Sequence, residues 1–324
     1  MPLHGLRTSA RFLSSCSILN ASSFATTNPY QVFDRKAKCL QKDRAASIEG
    51  GARSATVDYV RDEAAERLLD RFMDIKRQFN TILDLGSGPG HFTKLLELNK
   101  VRKSIMIDSS ITLHRDPDSH FQVNVERIHA DEESLLQVID HNSQEAIISC
   151  LSLHWINDLP GILVQIKDAL KPDGLFLGAM FGGDTLFELR SSLQLAEVER
   201  QGGISPHVSP MTDTRDVSNL LGRAGFTLLT VDTDEIKVAY PSMWELVEDL
   251  KDMGESNAVT GRRQYIQRDT LAAASAIYKE LHGNEDGSIP ATFQIIYMIG
   301  WKPGPSQPKP LERGSAGINL QEVL

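Results

Sequence analysis

The sequence predicts an α/β domain built on a mostly parallel sheet, and three observations carry that reading. Short apolar runs alternate with stretches of helical period through most of the chain. Several of those runs are apolar throughout, as strands covered on both faces must be. The first runs end on acids and glycines, the residues that place ligands at strand ends in open sheets.

In chain order, Asp58–Met73 has a helical period, with Tyr59, Ala65, Leu68, Leu69 and Phe72 near one face. Thr81–Leu85 is a short apolar strand that ends at glycines, and a helix is expected at His91–Leu98. Ser104–Asp108 predicts a second strand, Val123–Ala130 a third and Glu145–Leu151 a fourth. Leu159–Leu170 carries Ile162, Leu163, Ile166 and Leu170 on one helical stripe, and Lys171-Pro172-Asp173-Gly174 stops it. Gly174–Phe181 is the fifth strand, and Thr185–Arg200 is a helix that Asp184 is placed to cap. A helix at Asp216–Arg223 is followed by a strand at Thr227–Asp232 and a second edge at Glu235–Ala239. Helices at Met243–Asp252 and Thr270–Leu281 form an insertion before the last strand, Thr292–Ile299.

Composition narrows the function classes. In 324 residues, 34 Lys and Arg face 43 Asp and Glu, for a net charge of −9. That balance speaks against a protein living on nucleic-acid backbone, so no nucleic-acid partner is expected. The three cysteines Cys16, Cys39 and Cys150 build no disulfide framework and show no zinc spacing, so a reduced intracellular protein without a metal site is expected. No run has the ~20 apolar residues of a membrane-spanning helix.

Both ends differ from the core. Residues 1–30 carry Arg7 and Arg11, many serines and no acid, the composition of a mitochondrial transit peptide. Trp301–Pro310 has four prolines in ten residues, so 303–324 reads as an extended tail and 45–302 as one domain.

The chemistry concentrates at Ile82–Gly90 (ILDLGSGPG). Gly86, Gly88 and Gly90 allow a sharp turn and close approach of a ligand to the backbone, with Ser87 between them. A dinucleotide loop would be spaced GxGxxG; here the spacing is GxGxG, preceded by Asp84. A carboxylate there opposes a pyrophosphate and suits an ammonium group, so the inferred ligand is a nucleoside with an amino-acid tail, S-adenosylmethionine. Asp108 closes the second strand and is placed to accept the ribose hydroxyls, and Asp131-Glu132 closes the third, where a carboxylate can take the adenine amine. With Leu151 at the end of the fourth strand, these residues form the expected cofactor set.

On these motifs the core resembles the class I S-adenosylmethionine-dependent methyltransferases. The resemblance implies a Rossmann-like sheet of seven strands, mostly parallel with the last antiparallel. Ser149–Pro160 (SCLSLHWINDLP), Lys171–Arg190 (KPDGLFLGAMFGGDTLFELR), Met253–Asn257 (MGESN), Asn284–Pro290 (NEDGSIP) and Tyr297–Trp301 (YMIGW) are similar, more narrowly, to the mitochondrial complex I assembly factor 5 family, over roughly Phe33–Trp301. One departure stands out: Ser87 and Pro89 occupy positions between the glycines where that family has Cys and Arg. The resemblance implies an arginine hydroxylase, an oxidoreductase on a methyltransferase fold, acting in the mitochondrial matrix or peripherally on the matrix side of the inner membrane. Its implied partners are a core subunit of respiratory complex I and further assembly factors. Spacing and composition alone indicate methyl transfer. Two other readings stay open: a methyltransferase of a protein or small carboxylate, and a non-enzymatic assembly chaperone.

His154, Trp155 and Asp184 are the catalytic candidates. His154 follows the fourth strand and is either a general base or a loop histidine. Trp155 either walls a substrate channel with a cation–π contact to a guanidinium or packs under the loop. Asp158, Asp184, Glu188 and Glu255 are the acids available to grip a guanidinium. Iron held by two histidines and a carboxylate would need His154 and His207 to meet through the fold. Glu245, Glu248, Asp249, Asp252 and Glu255 are expected to form either a solvated helix face or a surface for a basic partner segment.

Overall fold

The computed structural model describes residues 31–263, 265–308, 314, 315 and 317. The expected transit peptide and most of the expected tail lie outside the described residues.

Period-2 burial builds the centre of the molecule. Along β1 (Phe79–Leu85), Ile82 points into one apolar layer and Leu83 into the other. The same alternation runs through β4 (Gln144–Cys150), with Ile148 against Ile147, and β5 (Leu170–Phe181), with Leu177 against Phe176. Strands buried on both faces need helices on both faces. α3 (Tyr59–Met73) covers one side with Val60, Ala64, Leu68 and Phe72, and α4 (Leu159–Ala169) covers the other with Ile162, Leu163 and Ile166.

With β2 (Val101–Asp108), β3 (Asn124–His129), β6 (Thr227–Tyr240) and β7 (Ile289–Trp301), the sheet has the order β3-β2-β1-β4-β5-β7-β6. β1 pairs in parallel with β2 and β4, β2 with β3, and β4 with β5. β7 runs antiparallel to both β5 and β6, so the seven-stranded expectation holds. The chain order reverses between β1 and β4, and the crevice lies at their carboxyl ends, where open sheets bind ligands. α5 (Phe187–Gln201) and α6 (Thr214–Ala224) follow β5; α7 (Met243–Asp252) and α8 (Arg268–His282) form the expected insertion between β6 and β7.

The structure corrects several local expectations. His91–Leu98 is not an α-helix: only a 3-10 turn forms at Thr93–Leu95. Thr93 is tied to Asp84 through its hydroxyl at 2.7 Å, and Leu96 turns extended to enter the core, which ends the turn before helix can propagate. The two expected edges at 227–239 are one continuous strand, β6, bulged between Thr227 and Thr230. Asp184 does not cap α5, because Leu186 takes a left-handed conformation (φ 52°) and the helix starts at Phe187.

Among the described residues, a helix begins ahead of residue 45, the expected start of the domain. α1 (Arg35–Ser47) is capped by Asp34, whose carboxylate accepts the Ala37 amide at 3.0 Å; α2 (Ala52–Thr56) follows a turn at Glu49–Gly51. Phe33 anchors the lead-in to α1 by a bridge to Val259 and an edge contact with Trp155. α1 therefore lies across the crevice rather than outside the domain.

Candidate functional site

β1 delivers Asp84 into the interior, where the residue is 1% exposed. One carboxylate oxygen accepts the Thr93 hydroxyl; the other, Oδ1, is buried without a partner. Burial pushes this carboxyl up to about 7, reinforced by the charge of Asp108 and opposed by Thr93. The glycine turn follows. At Gly86 (φ 69°) an added Cβ would stand 2.0 Å from Ser152 Oγ, so Gly86 serves packing. At Gly88 (φ 54°) an added Cβ meets nothing within 4 Å, so this part of the backbone borders open space. Ser87 is buried beside it, and Gly90 (φ 94°) packs against Phe121 and Met106.

β2 places Asp108 beside that loop, fully buried. It accepts the Gly88 amide at 2.9 Å and the Ser110 amide at 2.8 Å. Asp131 accepts the Glu133 amide at 3.0 Å at the end of β3, and Glu132 is buried with one oxygen facing Ser109. Leu151, held at φ 52°, closes β4 in the same wall. Of the sequence-predicted cofactor set, Gly86, Ser87, Gly88, Glu132 and Leu151 line one crevice; Asp84, Gly90 and Asp108 are buried behind that wall, and the Asp131 side chain is exposed.

The sequence reading missed what faces these acids. Arg35, Lys38 and Lys42 recur at i, i+3 and i+7 on α1, so one helical face carries three cations. Lys42 Nζ lies 2.7 Å from both oxygens of Asp108. Arg35 reaches Asp131 at 2.9 Å and also bonds Glu132. Burial acts against the Lys42 ammonium, yet Asp108 and Glu132 hold its pKa above the ordinary lysine value. These side chains fill the crevice and leave a cavity of about 40 Å³. The only signal in the sequence was the cation spacing, which on a helix is otherwise an ordinary solvated stripe.

Beyond Trp155 the crevice meets a second cavity of about 820 Å³. Its walls come from α5, α7 and α8, including Leu189, Met243 and Leu271, and its rim carries Lys251, Arg262 and Arg263. Trp155 and Glu255 line both spaces. Glu255 accepts Trp155 Nε1 at 2.8 Å, Arg61 Nη2 at 2.6 Å and Lys38 Nζ at 2.8 Å. Lys38 also donates to the Gly254 carbonyl at 2.7 Å and stands 3.4 Å from the centre of the Trp155 ring. Burial would raise the Glu255 pKa, but the bound cations Lys38 and Arg61 outweigh it and hold it well below the usual value. Burial pushes Lys38 down to about 7 against the pull of Glu255.

His154 lies under this cluster, its side chain fully buried and both ring nitrogens without hydrogen-bond partners. Its Nε2 is 3.9 Å from Glu255, and burial lowers its pKa. The remaining candidates lie elsewhere. Asp184 is exposed and exchanges hydrogen bonds with the Gln294 side chain at 3.1 and 3.2 Å, outside the walls of both cavities. Glu188 is buried and bound to Thr292, and Asp158 caps α4 through the Gly161 amide at 2.8 Å. His207 pairs with Glu197 at 2.9 Å on the far rim of the larger cavity. The acids around α7 do not form one free face: Asp249 accepts the Tyr59 hydroxyl, Asp252 pairs with Arg53, and Glu255 is internal.

Comparison with known proteins agrees with this architecture. Residues 57–231 match the family model described as a methyltransferase domain. The YcgJ protein of Bacillus subtilis has a similar fold at a TM-score of 0.50 and 14% identity, over 74% of this chain and 98% of that one. A malonyl-[acyl-carrier protein] O-methyltransferase of Gallionella capsiferriformans is 31% identical, over 85% of this chain and 93% of its own. The mitochondrial arginine-hydroxylase NDUFAF5 of Danio rerio is 50% identical over 301 residues, 93% of this chain and 92% of its own. Half of all positions shared along nearly the full length of both chains, on a sheet of this order, makes this chain a member of the NDUFAF5 arginine-hydroxylase family within the methyltransferase fold.

Proposed function

We propose that the protein binds S-adenosylmethionine in the crevice and hydroxylates an arginine of a core subunit of respiratory complex I in the mitochondrial matrix. The observation that carries this reading is the 50% identity to arginine-hydroxylases named as mitochondrial, joined to strand-end acids that suit this cofactor. Two features fit the cofactor: the unpartnered buried Oδ1 of Asp84, which lacks a donor such as an ammonium, and the open space at Gly88. Asp84 would take the amino-acid ammonium, the loop Gly86-Ser87-Gly88 and Gly90 the tail, Asp108 the ribose, and Asp131, Glu132 and Leu151 the adenine. When bound, the cofactor supplies a sulfonium cation and a transferable methyl group.

The oxygen added to arginine would come from dioxygen, its second atom going to water with two electrons and two protons from an external reductant; the chain's own residues bind, orient and move protons. The larger cavity, with Trp155 in its wall, receives the acceptor. His154, kept neutral by burial, offers two free ring nitrogens beneath that cavity and is the proposed proton-handling group. Asp184 has no part in it. The protein is taken to meet its substrate subunit and other assembly factors from the matrix side, peripherally on the inner membrane; no described helix is long and apolar enough to cross a membrane.

Methyl transfer to a carboxylate is the second reading, favoured by the identity to the malonyl-[acyl-carrier protein] O-methyltransferase and by the apolar cavity. Intact-mass analysis of the complex I core subunits, produced with and without this protein, tests both. Gain of one oxygen atom on an arginine is expected. Gain of a methyl group would overturn the hydroxylase in favour of the second reading, and an unchanged mass would leave a non-enzymatic assembly role.

A further inference from the structure

We propose that Trp155 and Glu255 form a cation cage for the guanidinium of the acceptor, and that Lys38 occupies this cage as an internal stand-in until the acceptor arrives. The inference rests on the arginine-acceptor reading and names the site for it.

The geometry is that of an aromatic–carboxylate cation site. The Lys38 ammonium stands 3.4 Å from the centre of the Trp155 ring and 2.8 Å from Glu255 Oε2. The ring also donates to that same carboxylate at 2.8 Å, which fixes the two walls of the cage relative to each other. A planar guanidinium stacks on an indole and bonds a carboxylate through its fork more effectively than an ammonium does. Both walls border the 820 Å³ cavity, so a side chain held in that cavity lies beside the cage.

Three facts make Lys38 exchangeable rather than permanent. Glu255 holds two cations, and when Lys38 leaves, Arg61 at 2.6 Å still neutralises it. The replacement of one cation by another leaves the charge of the buried cluster unchanged, so it avoids the penalty of an unpaired buried carboxylate. The neighbours of Lys38 on α1 behave alike: Lys42 sits on Asp108 and Arg35 on Glu132, both residues of the proposed cofactor set. Together they reduce the crevice to about 40 Å³, where small-molecule sites run to roughly 300–1,000 Å³. One face of α1 therefore holds the ligand positions of both spaces with its own cations.

The charged groups around Lys38 are Lys42 on its own helix, Arg61 on α3, and Glu255 with His154 beyond it. Burial and the two cations disfavour the Lys38 proton and Glu255 favours it, and the balance falls at about 7. A guanidinium stays protonated throughout, so its competition with Lys38 eases as pH rises through neutrality.

The test titrates the full chain with propylguanidinium chloride, following tryptophan fluorescence and calorimetry, with propylurea as the neutral control. Propylguanidinium is expected to bind and propylurea not to. Lys38→Met should tighten propylguanidinium binding about tenfold and remove its pH dependence near neutrality, while Lys38→Arg should bind as weakly as wild type or more so. Glu255→Gln should weaken binding about tenfold or more. Should Glu255→Gln fail to fold, the Lys38 variants and the wild-type pH series still decide. Unchanged or weaker binding in Lys38→Met, or equal binding of propylurea, overturns the cage, as does absence of propylguanidinium binding in both wild type and Lys38→Met. If the cage binds but no arginine gains oxygen, the hydroxylase reading falls and the cage stands; if oxygen is added but Lys38→Met leaves binding unchanged, the cage falls and the reading stands.

Discussion

Lys42 places its ammonium 2.7 Å from each carboxylate oxygen of Asp108, a residue 66 positions away in the chain. A ligand that uses Asp108 for its hydroxyls has to displace that ammonium.

Asp108 and Lys42 should therefore act oppositely on S-adenosylmethionine binding. Asp108→Ala removes charged hydrogen bonds worth about 1.5–3 kcal/mol, so affinity should fall roughly 10- to 150-fold. Lys42→Met removes the competitor and should raise affinity several-fold, with weaker dependence on salt. Calorimetry on folded variants checks both. Equal affinity in wild type and Asp108→Ala would take Asp108 out of the site.

Asp84 should make the protein without its cofactor more stable in acid than a carboxylate usually does. Its folded pKa of about 7 lies above the ordinary 3.8. With the folded value raised, its favourable contribution is full below about 3.8 and is lost as pH rises through about 7. The displacement corresponds to roughly 4 kcal/mol, an order-of-magnitude figure. Denaturation of wild type and Asp84→Asn across pH 4–8 should show that loss in the wild type alone; parallel curves would rule it out.

Arg115 ties the segment after β2 to the turn before α3. Its guanidinium bonds Asp58, and both side chains are about 5% exposed or less. Arg115→Met strands the Asp58 carboxylate, leaving His91 at 3.7 Å and Arg61 at 3.9 Å as its nearest basic side chains among the described residues. A buried charge left without its partner costs about 3–5 kcal/mol, so the denaturation midpoint should drop sharply. A midpoint within error of wild type would show that water reaches Asp58.

Import depends on the first residues in the sequence reading. Replacement of Arg7 and Arg11 by Glu should leave a reporter fused to residues 1–30 in the cytosol. Fractionation that finds the doubly substituted fusion inside mitochondria at normal yield would remove the transit-peptide reading.

The sequence by itself determined the sheet and the acids at its edge. Ile82–Leu83 and Ile147–Ile148 announce strands buried on both faces, and Asp84 and Asp108 stand at the carboxyl ends of β1 and β2, where the chain turns. These are local signals of period and punctuation, legible in a window of a few residues. Tertiary structure decided which of those acids face an empty place and which face a cation. Lys38 finds Glu255 across 217 residues, and Arg35 finds Asp131 across 96. Nothing in the period of α1 distinguishes a cation that meets water from one that enters a crevice, because the difference lies in what the distant chain brings opposite. Asp184 shows the converse: its spacing suited a helix cap, and the left-handed turn at Leu186 moved it to the surface.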